Sequence, residues 1–146
     1  MKKSAIALPQ TVVVDAGPLA AAINRDDPDH GWARRALTNI QGRFITSEAA
    51  ITEALHILEN HPAAIAALRR LVGQMEVIPM ARPICDDLLD EMLRYAPRMD
   101  FADACAVVMA RQHPRAFVLT TDFNDFSTYR VPFASPQGKF HPDNDD

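Results

Sequence analysis

Four carboxylates, Asp15, Glu53, Asp103 and Asp122, stand far apart in a chain of 146 residues, yet their settings allow them to converge. Asp15 closes the β-branched run 11–14, and Asp122 follows the apolar run 116–120. Asp103 lies at the start of a helical stretch, three residues after Asp100, and Glu53 lies inside another, six residues after Ser47. Gathered at one sheet edge, four such groups would repel each other strongly unless a cation neutralised them. Mg²⁺ or Mn²⁺ suits an all-oxygen set, because these hard ions take carboxylates and keep waters beside them. Such an ion can activate a water and steady the charge on a phosphodiester displaced in line. No His or Cys pair has zinc-ligand spacing, which disfavours zinc. No GxGxxG or P-loop occurs, so nucleotide-cofactor chemistry has no support.

Each acidic residue also has a plainer reading. Asp15, Asp100 and Asp122 all fit helix N-caps. The pairs Asp100–Asp103 and Asp122–Asp125 have the spacing of capping boxes. Glu53 alone fits a solvated helix face. The set makes the stronger case. Capping requires no carboxylate at Glu53, and it does not explain why two strands deliver an aspartate at the same end. Arg34–Arg35 and Arg69–Arg70 read as solvated helix faces able to meet an RNA backbone or a partner protein.

The elements that would position these groups follow from periodicity. Runs 11–14 and 116–120 are short and rich in β-formers, which predicts buried strands; 43–46 and 75–79 are weaker ones. Helical spacing of apolar residues predicts helices over 19–24, 29–40, 47–59, 62–72, 84–95 and 102–113. Pro18 and Pro62 sit near helix starts, and Gly73, Pro97 and Pro114 near helix ends. Strands alternating with one or two helices predict an α/β fold with a mainly parallel sheet. Ligands of such sheets bind beyond the carboxyl ends of the strands, where Asp15 and Asp122 stand. Residues 130–133 are expected as a last edge strand. Residues 134–146 are expected as a flexible C-terminal tail, leaving 1–133 as a single domain.

Composition sets the outer limits. Hydrophobic residues make up 48% and charged residues 23% of the chain. That is an ordinary globular balance for one domain. Net charge is −4, which argues against a chain that grips nucleic acid by bulk charge and puts the weight on how the charge is distributed. Cys85 and Cys105 are expected as reduced packing residues of a cytoplasmic protein. No 18-residue apolar stretch occurs, so no membrane span is expected.

The stretch Val12-Val13-Val14-Asp15-Ala16-Gly17-Pro18 resembles the opening motif of PIN domains, above all the toxin-like ones. Thr46-Ser47-Glu48-Ala49-Ala50-Ile51-Thr52-Glu53 resembles the segment that carries the family's glutamate. Asp100-Phe101-Ala102-Asp103-Ala104 is similar to its helix start, and the block from Leu119 to Arg130 to its closing motif. The resemblance covers 12–130 in order. It implies a three-layer α/β/α PIN-like fold and metal-dependent cleavage of RNA, with Mg²⁺ or Mn²⁺ as cofactor. By it the acidic quartet maps onto Asp15, Glu53, Asp103 and Asp122. Asp100 and Asp125 match accessory acidic positions, and Thr120 a small polar residue lining the site. VapC toxins, which the chain resembles, are paired with a small antitoxin and are often homodimers. Thr121 departs from the leucine frequent in that subgroup. Two alternatives stay open: a PIN-like module that binds RNA or protein without cutting, and an RNA-processing nuclease with no toxin role. A phosphatase of the haloacid-dehalogenase type is disfavoured, since Gly17 stands where it wants a second aspartate.

Overall fold

A computed structural model describes residues 10–142. The run of valines forms β1 (Gln10–Val14), which leads directly into α1 (Ala16–Ile23). After a turn come α2 (His30–Asn39), β2 (Gly42–Ser47), α3 (Glu48–Ile57), α4 (Pro62–Val72) and β3 (Glu76–Ile78). The second half holds α5 (Ala81–Arg94), α6 (Phe101–Gln112), β4 (Phe117–Leu119), α7 (Phe123–Tyr129), β5 (Phe133–Ser135) and β6 (Gly138–Phe140). The six strands lie in the order β3-β2-β1-β4-β5-β6, parallel except for the β5–β6 pair.

Alternation along β1 builds the three layers. Val12 and Val14 face a core packed by α1 to α4, with Leu19, Ala54 and Leu68 fully or nearly buried. Val13 faces the opposite core, where Leu88 of α5, Val107 and Met109 of α6 and Phe126 and Tyr129 of α7 meet it. A strand covered on both faces reads as a continuous apolar run, which is why β1 shows no polar alternation. The helices keep these faces because of their ends: Ser47 Oγ accepts from the Ala50 N–H at 3.1 Å, and Pro62 occupies the first position of α4.

The structure departs from the sequence reading in three places. First, α1 begins at Ala16 rather than 19, so Gly17 and Pro18 lie in its first turn, where the missing proline N–H costs no bond. Second, the strand expected over 130–133 begins at Phe133, after Pro132, and is interior rather than an edge. Third, 134–140 is not a loose tail. Ala134 and Ser135 are buried, and β6 returns antiparallel as the true edge. Between them Gly138 takes a φ of 136°. Glycine alone adopts such a backbone easily. Ser135 Oγ closes this turn, accepting from the Gln137 N–H and donating to the Gly138 carbonyl, both at 3.1 Å. Residues 141–142 follow, and the remainder of the expected tail, 143–146, lies outside the described residues. Cys105 is a packing residue as expected, whereas Cys85 is exposed. No helix among the described residues is long and apolar enough to cross a membrane.

Candidate active site

From β1 the chain runs out to β2 and β3 on one side, then returns to lay β4 and β5 on the other. The topological switch point therefore lies between β1 and β4, and ligands of such sheets bind beyond the strands' carboxyl ends at that point. Asp15 and Thr120 meet there. The Asp15 N–H donates to the Leu119 carbonyl at 3.0 Å, tying the two strand ends together. Thr120, fully buried, donates through Oγ1 to Asp15 Oδ2 at 2.9 Å and accepts from the Asp122 N–H at 3.1 Å. Beside it, buried Thr46 donates to the Val14 carbonyl at 2.8 Å.

Asp15 occupies the N-cap position of α1 but its side chain makes no capping bond. Its Oδ1 is buried without a hydrogen-bond partner. A buried, unsatisfied carboxylate oxygen is costly and calls for an explanation. Burial is also the main reason its pKa is raised to about 6, with Asp100 and Asp122 adding repulsion.

Asp100 and Asp103 do form the capping box their spacing suggests. The Asp103 N–H donates to Asp100 Oδ1 at 2.7 Å, and the Asp100 N–H to Asp103 Oδ2 at 3.4 Å. Asp122 caps α7 by accepting from the Asp125 N–H at 3.0 Å. These roles leave carboxylate oxygens over, so capping and ligation are compatible here. Asp103 is half-buried, and burial followed by the charges of Asp15 and Asp100 pushes it up to about 8. Glu53 reaches the same field from α3. Burial, then Asp100, then Asp15 raise it to about 7. The mutual repulsion brings Asp15, Glu53, Asp100, Asp103 and Asp122 into one electrostatic neighbourhood. Asp125 stands at its margin, raised by burial and by Asp122 but held by Arg98 Nη1 at 3.1 Å.

Two residues without an expected role also take part. Tyr129, fully buried on α7, donates its hydroxyl to Asp103 Oδ2 at 2.9 Å, and burial with that neighbouring charge raises its own pKa. Gly17 passes so close to Thr121 that a Cβ there would collide with the threonine side chain. The Tyr129 contact joins residues 26 apart and has no local signal.

The ordered motifs and this geometry meet in one family. The PIN domain model matches residues 12–131. The chain belongs to the PIN-domain family. Among solved structures, the PIN domain here shares its fold with VapC20 of Mycobacterium tuberculosis, a Sarcin-Ricin loop cleaving toxin. That match has a TM-score of 0.70 and 24% identity, covering 80% of this chain and 94% of that one. A toxin-antitoxin complex from Klebsiella pneumoniae matches with a TM-score of 0.64 and 16% identity, over 86% of this chain and 97% of that one. The PIN domain endonuclease Utp24 matches at 0.53 and 18%, over 90% and 88%. The comparison with curated proteins returns no match.

The donor set of this PIN domain suits a hard divalent ion. All its acidic side chains offer oxygen, and Asp15 Oδ1 has no other partner. Among the described residues no three His, Cys, Asp or Glu side chains form a ready-made cage. An ion that draws on one or two carboxylates and completes its shell with water needs none.

Proposed function

We propose that this PIN domain is a metal-dependent endoribonuclease and the toxin of a toxin-antitoxin pair, acting in the cytoplasm. The observation that carries the reading is the buried Asp15 carboxylate, oriented by Thr120 and left with one unsatisfied oxygen at the switch point. Asp15, Asp103 and Asp122 would hold Mg²⁺ or Mn²⁺, with Glu53, Asp100 and Asp125 at hand around them. When bound, the ion would supply a Lewis acid that lowers the pKa of a water and offsets charge on the scissile phosphate. Thr120 and Tyr129 keep Asp15 and Asp103 in place through hydrogen bonds already made. Glu53, in the same field of charge, would complete or orient the shell around the ion. RNA as substrate is supported by the shared fold with a toxin that cleaves the Sarcin-Ricin loop. A small antitoxin as partner is supported by the shared fold with the Klebsiella toxin-antitoxin complex. A homodimer is supported by apolar side chains left exposed on α5, Leu89 and Leu93.

The test is cleavage of an RNA panel by the purified chain with Mg²⁺ or Mn²⁺, with EDTA, and with the Asp15→Asn and Asp103→Asn variants. Cleavage that survives both chelation and either substitution would sink the mechanism. The fold shared with the PIN domain endonuclease Utp24 favours one second reading, a nuclease without a toxin role. Growth arrest on expression, relieved by a neighbouring small gene, separates the two.

A further inference from the structure

The end of the sheet opposite the carboxylates is built with the other sign of charge. There the starts of β1, β4 and β5 and the end of α6 surround a cavity of about 1020 Å³. Arg111, Arg115, Arg130 and Lys139 line it, together with the half-buried rings of Phe117 and Phe140, and no Asp or Glu among the described residues does. Four of the chain's 15 Lys and Arg thus share one concavity in a protein of net charge −4. Two of these cations have structural work. Arg111 pairs with buried Glu91, and Arg130 lies over the Phe140 ring while donating to the Pro142 carbonyl at 3.3 Å. Arg115 and Lys139 are exposed and enter no ion pair among the described residues.

We propose that this cavity binds the phosphodiester backbone of single-stranded RNA, at a site separate from the cleaving carboxylates. The inference rests on the ribonuclease reading and extends it with a second point of contact for the same class of substrate. Cations gathered in one groove that no carboxylate among the described residues shares suit the row of phosphates along such a strand. A protein partner of acidic character is less well matched, because its recognition calls for buried polar groups to pair with, and the cavity offers none unpaired among the described residues. Gln10 at the cavity and Asp15 at the site are separated by one strand length, roughly 17 Å. A strand of RNA could therefore be held at the basic end while the acidic end awaits metal. The two ends obey opposite rules: the acidic end needs a cation before it can accept phosphate, and the basic end does not.

The experiment measures binding of a fluorescein-labelled single-stranded RNA in EDTA by anisotropy over a salt series. Wild type should bind without metal, with log K falling linearly against log salt. The cavity variant combines Lys139→Gln with Arg115→Asn, an asparagine suiting the left-handed backbone at that position. It should weaken binding about tenfold at low salt and flatten the slope by about 1.4. The pair Arg69→Gln and Arg70→Gln on α4 makes the same charge change elsewhere and should leave the slope nearly unaltered. The proposal is overturned if wild type does not bind without metal. It is also overturned if the cavity variant matches wild type, if the α4 variant loses as much, or if an acidic peptide binds more tightly than RNA. Cleavage of the same RNA with Mn²⁺, measured in parallel, separates the two readings. Cleavage with cavity-independent binding removes this site alone, and cavity-dependent binding without cleavage under any metal removes the nuclease reading alone.

Discussion

At the residue scale, the two oxygens of Asp15 live in different surroundings: one accepts from Thr120, the other has no partner. Asp15→Asn keeps the size and the Thr120 bond but removes the charge. Loss of cleavage by more than about 100-fold is expected, since changing a residue that merely orients a metal ligand already costs roughly 10–100-fold. The raised carboxylates also set a sign for stability against pH. Asp15, Glu53 and Asp103 hold protons in the folded chain at pH values where the unfolded chain has released them. Folded stability from these groups is therefore fully present below about pH 4 and is lost as pH rises towards about 8. Glu53→Gln removes one of these charges while keeping the size of the side chain. In EDTA its Tm should exceed that of wild type by a margin that grows from pH 5 to pH 8, while its cleavage falls. A margin independent of pH would contradict the assigned repulsion. Mn²⁺ should raise the Tm of wild type more at pH 8 than at pH 5, because fewer protons must leave the carboxylates.

At the element scale, the site depends on how α3, α6 and α7 are anchored. The cap from buried Ser47 holds the first turn of α3 and so aims Glu53. Ser47→Ala should cost about 1 kcal/mol in urea unfolding and weaken metal binding measured by calorimetry. An unchanged metal affinity would mean that α3 positions Glu53 without its cap. Helix α7 is short, and its hold on the core is Phe126, fully buried against Tyr129 and Phe133 with ring centroids 5.2 and 6.2 Å away. Phe126→Ala should destabilise by about 3–5 kcal/mol. It should also loosen Tyr129 from Asp103, so activity per folded molecule is expected to drop as well.

At the scale of the whole molecule, charge and exposed apolar surface decide the partners. The net charge of −4 is unevenly spread: carboxylates gather at one end of the sheet and cations at the other. On the proposed function, repulsion at the acidic end would make metal a condition for RNA to dock there as well as for cutting. Leu93 is 75% exposed and Leu89, one turn earlier on α5, 45%, the former being the most exposed large apolar side chain among the described residues. Sedimentation velocity should show a dimer, and Leu93→Lys should shift it to monomer without lowering Tm through lost core packing. A wild-type monomer at micromolar concentration would remove the homodimer from the proposed function.

The amino-acid sequence by itself determined the class of fold and marked four acidic positions as candidates, because both are written locally. Strand and helix periods repeat within a few residues, and an aspartate at a strand end or a helix start announces itself by its neighbours. The capping box at Asp100–Asp103 and the cap at Asp122 were visible for the same reason. What only the tertiary structure decided is which side chain each of these groups meets. Asp15 looked like a cap and is not one, since Thr120, distant in the chain, takes its oxygen. Tyr129 carried no mark of its bond to Asp103. The β5–β6 hairpin was hidden because three-residue strands are too short for alternation to show, and their pairing is set by β4 and by the glycine turn. The basic cavity draws its lining from both ends of the chain, which come together only when the sheet forms. Burial and long-range partners govern a carboxylate's charge and role, and neither exists until the chain has folded.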